Sequence, residues 1–166
     1  MTRTRSRFTA IAAALAVLAL ANSNTVRADS NGRPATLPER MKGAARVVVA
    51  RAATVRASWR NNQYGDRLIV SRILLQVEET LKGAPGQQIV MDLEGGTLDG
   101  YTLHVSSLPS LNAGERAVFL LEDAGSNVFQ PHLRGQGILK LDDSNVVRGS
   151  SLRLDEIRDM ARQTGR

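Results

Sequence analysis

The sequence predicts a mainly β chain closed by one short C-terminal helix. Three observations lead there. Apolar residues recur at every second position in successive runs between Ala45 and Val147, and Gly, Asn and Pro clusters cut that rhythm into short segments. A spacing of three and four appears only at the end, at Leu154, Ile157 and Ala161.

The first strand begins at Ala45. Val47, Val49, Ala53, Val55, Ala57 and Trp59 fall on odd positions against Arg46, Thr54, Arg56 and Ser58 on even ones. Arg51 interrupts the apolar phase, which predicts a bulge or a strand that runs past the end of the core. The polar, turn-forming residues from Asn61 to Asp66 then lead into a second alternating run, with Ile69, Ile73, Leu75 and Val77 opposite Arg72, Gln76 and Glu78. Two long strands joined in this way form a hairpin.

A turn from Lys82 to Gly86 introduces a third strand, where Ile89, Met91 and Leu93 alternate with Val90, Asp92 and Glu94. Gly95, Gly96 and Gly100 surround a loop before a fourth, Tyr101, Leu103 and Val105. The two adjacent glycines are read as turn or bulge geometry, because no helix start or phosphate-binding lysine follows them. The fifth strand, Arg116 to Leu121, is apolar on both faces and so is expected to be buried on both sides. Short β segments continue around Val128 to Leu133, Ile138 to Leu141 and Val146 to Val147. An amphipathic helix over residues 153–163 is expected to close an open side of the sheet.

This pattern suits a small OB-like β-barrel of five or more strands, with a flat sandwich as the competing arrangement. The runs from Ala45 to Ala57, Arg67 to Gly83 and Leu111 to Leu121 resemble the core of netrin-like modules, which include the tissue inhibitors of metalloproteinases. The shared features are an apolar run into Arg-Ala, a long second strand ending in Lys-Gly, and a Gly before a strand of the type that carries Phe119 here. The chain also resembles small exported bacterial proteins with the same punctuation, here Lys82 and Gly83, Gly95 and Gly96, Gly114 and Glu115. That second resemblance implies no known reaction. The animal inhibitors chelate a protease zinc through an N-terminal cysteine, and this chain has no cysteine, so it would have to meet a protease by another geometry.

The N-terminus decides where any function operates. Arg3, Arg5 and Arg7 precede an apolar run from Phe8 to Leu20, about 13 residues where a membrane span needs about 20. Residues 1–28 therefore read as a signal peptide cleaved after Ala21 or Ala28, giving a periplasmic or extracellular protein with no stable membrane insertion after cleavage. Residues 29–42, rich in Ser, Asn, Gly, Pro and charge, are expected to be a flexible leader, and residues 43–166 a single domain. Four arginines and no acids lie in residues 1–28, so their removal lowers the formal charge from +6 to +2. The remaining basic residues are interspersed with acids, which argues against nucleic acid as a partner. With no cysteine, neither disulfides nor thiolate zinc sites are available.

The sequence holds no Gly-x-Ser-x-Gly elbow, no His-Glu-x-x-His, no phosphate loop and no dinucleotide fingerprint. The neighbouring carboxylates Glu78 and Glu79, Glu122 and Asp123, Asp142 and Asp143 point to opposite faces if extended, so they are not an acid/base pair. His104 and His132 specify no ligand set between them. No enzyme activity, catalytic residue, metal or cofactor is expected.

The most distinctive surface is the hairpin tip, where Trp59 and Tyr64 flank Arg60, Asn61 and Asn62. Rings supply rigid area and amides supply hydrogen bonds at recognition surfaces. The competing account is that Trp59 and Tyr64 pack together across the hairpin mouth. His104 and Arg134 complete the candidate binding residues, Arg134 either lining a groove or serving a turn. The sequence thus points to an exported, non-enzymatic binding module for a secreted or envelope protein, among which a secreted protease is one case. A periplasmic or extracellular carbohydrate or small ligand is the alternative.

Overall fold

The computed structural model describes residues 33–164 except Gln63. The expected signal peptide and the start of the leader lie outside the described residues, and from Pro34 onward the chain forms one unit. Its elements are helix α1 (Leu37–Gly43), strands β1 (Arg46–Asn61), β2 (Arg67–Lys82), β3 (Gln88–Glu94), β4 (Gly96–Leu98), β5 (Tyr101–Leu103), β6 (Arg116–Asp123) and β7 (Val128–Pro131), a 3₁₀ turn (Arg134–Gly137), β8 (Ile138–Lys140) and helix α2 (Leu154–Thr164). The chain is mainly β, as the alternation predicts, and the C-terminal helix lies within one residue of its expected bounds.

The strand pairings follow one another around a ring. β1 pairs antiparallel with β2, and β2 with β3. β3 then runs parallel to β7, β7 antiparallel to β6, and β6 antiparallel to the first half of β1. β8 adds to the other side of β6, while β4 and β5 form a separate small hairpin. The expected fourth strand is thus the short β5, outside the main sheet.

Two apolar clusters lie on the two sides of β1 and β6. Val48, Ala50 and Ala52 join Ile73, Leu75, Met91, Ala117, Phe119 and Phe129 in the inner one. Val47, Val49, Val118 and Leu120 join Met41, Leu154 and Ile157 in the outer one. This explains the two-sided apolar character of both strands: the sheet covers one face and the helices the other. The C-terminal helix therefore packs on the outer face of β1 and β6 instead of closing an open side.

Two further features differ from the sequence reading. Residues 37–43, inside the expected flexible leader, form α1. Its start is a capping box, with the Thr36 N–H and hydroxyl both donating to the Glu39 carboxylate at 2.6 and 2.7 Å, and Met41 is fully buried. Lys82 Nζ donates to the carbonyls of Met41, Lys42 and Ala44 at 2.6 to 3.0 Å, a cation where the helix leaves its carbonyls unpaired. Ala53, expected on the apolar face, is exposed, because the β1–β2 register shifts between Ala52 and Thr54. That shift is the bulge signalled by Arg51, and it carries Val55 to the inner cluster's side. Among the described residues no helix is long and apolar enough to cross a membrane.

Candidate binding surface

The β1–β2 hairpin reverses between Asn62 and Asp66. The Asn62 N–H donates to the Asp66 carbonyl at 2.9 Å and the Gly65 N–H to the Asn62 carbonyl at 3.1 Å, with Gly65 at φ +89°. The Asn62 side chain accepts from the N–H groups of Tyr64 and Asp66 and donates to the Asp66 carboxylate, all at 2.9 Å. Asn62 therefore builds the turn, while Asn61 is exposed beside it. Tyr64 stands 80% exposed at the tip.

Trp59 does not meet Tyr64. Its ring packs edge-on against Tyr101, with centroids 5.9 Å apart and planes at 65°, and the Arg67 guanidinium lies 4.4 Å from its centroid. The expected pair across the hairpin mouth is replaced by one between two hairpins. Tyr101 is delivered by Asp99 and Gly100, both at positive φ, which turn β4 into β5. Asp99-Gly100 is the sequence signature of such a two-residue hairpin, here standing within the glycine-rich loop expected before the fourth strand. Tyr101 and Arg67 are thus surface residues that the sequence reading missed.

The β4–β5 hairpin is seated on β2 through a buried contact. Ser71 donates to the Gly95 carbonyl at 2.7 Å, and a Cβ on Gly96 would come within 2.5 Å of the Ser71 oxygen. The adjacent glycines therefore serve close packing, in line with the structural role expected for them.

Below this hairpin lies a cleft of about 300 Å³, with Val55, Ala57, Leu108 and Leu111 giving apolar walls and Thr97, Thr102 and the exposed His104 giving a polar rim. Arg134 reaches its edge: Nε donates to Ser107 Oγ at 2.8 Å and Nη2 to the rim carboxylate of Glu94 at 3.2 Å. Arg134 therefore ties the 3₁₀ turn to the cleft. Arg60 lies on the opposite face of β1, donating to Asp92 at 3.0 Å. Arg72 grips the same carboxylate at 2.8 and 2.9 Å, and this hydrogen bond with its charge raises the Arg72 pKa above its ordinary value. The seven predicted residues thus divide among the tip, the aromatic pair, the cleft and an ion pair on the far face.

The neighbouring carboxylates Glu78 and Glu79 are engaged separately. Glu78 binds Arg116 at 2.5 Å while its neighbour Glu79 binds Arg158 at 2.7 Å. His132 Nδ1 lies 3.0 Å from Glu122, and its Nε2 side is so close to Gly43 that an added methyl would approach within 2.7 Å. Among the described residues no three His, Asp or Glu side chains gather as a metal-binding group. No protein-family model matches the chain, and no curated protein matches it.

Proposed function

We propose that the chain is an exported, non-enzymatic OB-like β-barrel module whose ligand is a secreted or envelope protein. The ring of pairings from β1 through β2, β3, β7 and β6 back to β1, with its one parallel contact between β3 and β7, supports the barrel reading. The basic and apolar character of residues 1–20 supports export.

One observation carries the binding reading: the Trp59, Tyr101 and Arg67 group, with Tyr101 left 66% exposed. Two mutually braced rings and a guanidinium offer contact area at little entropic cost, which is the residue set of interface anchors. Having no cysteine, the chain would engage a secreted protease through loops or a strand edge.

The test is cross-linking and capture from the host's own envelope and culture medium with tagged chain. A specific protein is expected with the unaltered chain and not with the Trp59→Ala/Tyr101→Ala variant, whose folding is checked by melting. Equal recovery by both would overturn the reading. The hydroxyls of Thr97 and Thr102, 2.9 Å apart on the cleft rim, favour carbohydrate as the second reading. A glycan array decides that case, with specific signals lost in the Thr97→Val/Thr102→Val variant, which removes both hydroxyls at nearly constant shape.

A further inference from the structure

We propose that the edge of β1 from Val55 to Trp59 is a strand-addition site for an extended segment of alternating acidic and aliphatic residues. The inference rests on the protein-partner reading and names the chemistry of the partner's contact.

β1 parts from β6 after Arg51. The last bonds on that side are from the Ala52 N–H to the Glu115 carbonyl at 2.9 Å and from the Gly114 N–H to the Ala52 carbonyl at 2.8 Å. β1 then continues to Asn61, paired among the described residues only with β2. The Asn62 to Asp66 bond fixes the phase of that ladder, and alternation turns the N–H and C=O groups of Val55, Ala57 and Trp59 away from β2. None of these outward groups is hydrogen-bonded to another described residue. Such an edge is a template for another strand.

The side chains on its two faces specify which strand. Arg56 stands directly opposite Arg72 in the ladder, a like-charge pair that is unfavourable on its own. Asp92 compensates Arg72 and is shared with Arg60, while Arg56 makes no ion pair among the described residues. Residues 51–72 hold five arginines and a single acid, Asp66. This charge repels a second copy of the same arm and attracts carboxylates. On the other face Val55 and Ala57 wall the apolar part of the cleft. An added strand presents alternate side chains to the two faces, so one phase meets Arg56 and Arg60 with carboxylates and the other fills the cleft with aliphatics.

The experiment titrates a labelled peptide of alternating Glu and Val into the full chain, read by fluorescence anisotropy. Binding is expected, weakened by salt. It should fall tenfold or more for Arg56→Glu, an exposed change, and for Ala57→Pro, which removes an outward N–H without touching the β1–β2 ladder. A peptide N-methylated at alternate residues on its ladder edge should lose binding without any change to the protein. Equal binding by the N-methylated peptide, by a Lys and Val peptide, or by anionic vesicles in place of the acidic peptide would overturn the proposal. Where the Arg56→Glu chain still captures a protein that Trp59→Ala/Tyr101→Ala loses, strand addition fails and the partner reading stands. Where the aromatic variant loses nothing, that reading itself fails.

Discussion

The Ser71 hydroxyl donates a 2.7 Å hydrogen bond to the Gly95 carbonyl beneath the β4–β5 hairpin, and Gly96 leaves no room for a methyl above it. Ser71→Ala removes the donor from a buried acceptor and should cost about 1–3 kcal/mol in urea unfolding. Gly96→Ala combines a φ of +129° with a 2.5 Å approach to the Ser71 oxygen, so it should cost a similar amount, about 1–3 kcal/mol. The two changes should be non-additive: Ser71→Ala removes the atom that the new methyl strikes, so the double variant should be more stable than the sum of the single losses. Simple additivity would show that the hairpin is not seated by this contact.

Glu115 joins the start of β6 to β8. Its carboxylate accepts from Lys140 Nζ at 2.9 and 3.0 Å and from the Asn112 N–H at 2.8 Å, with Arg148 at 3.4 Å. Burial alone would raise its pKa, but the Lys140 and Asn112 hydrogen bonds and the charges of Lys140 and Arg148 outweigh burial and hold it below its ordinary value of 4.5. A carboxylate with a lowered folded-state pKa contributes stability that is present above its unfolded value and is lost as pH falls through the folded one. Stability should therefore decline as pH drops below about 4.5, and Glu115→Gln should flatten that part of the profile. At neutral pH the same substitution should cost about 1–3 kcal/mol, since Lys140 loses its charged partner. Parallel pH profiles for the two proteins would show that the pair does not drive the acid dependence.

Met41 is fully buried against the outer face of β1 and β6. Met41→Ala should destabilise the protein by about 2–5 kcal/mol in denaturant unfolding, the usual range for a large core side chain. Lys82→Met should act in the same direction by removing three donors from the carbonyls at the end of α1. A Met41→Ala protein as stable as the parent would mean that α1 is dispensable to the fold.

α1 shows why part of the fold escaped the sequence reading. Thr36 and Glu39 stand at capping-box spacing and Leu37 and Met41 are four apart, but two turns of helix among prolines and charges give too short a periodic signal to stand out from a flexible leader. The strands were legible because burial imposes a period of two over long runs, and β6 was legible because both its faces are covered. The bulge at Ala53 was announced by Arg51, but its effect on phase depends on β2, which no local pattern carries. The same limit applies to the surface. Trp59 was recognisable as an anchor, whereas its true neighbour Tyr101 is distant in sequence and reaches it only once the small hairpin is laid over β2.

The aromatic pair gives the prediction closest to function. Tyr101 is two-thirds exposed, so Tyr101→Ala should cost little stability, while a double-mutant cycle with Trp59→Ala should give a coupling of about 0.5–1.5 kcal/mol for the edge contact. Trp59 is the sole tryptophan, so intrinsic emission reports its surroundings without interference. Arg67→Met removes the cation from its face and should change that emission while leaving the melting temperature within a few degrees. A docked partner should shield the ring, shifting the emission to the blue and lowering its quenching by acrylamide. If the captured partner leaves both signals unchanged, the recognition surface lies away from Trp59, and the exposed rings are not its anchors.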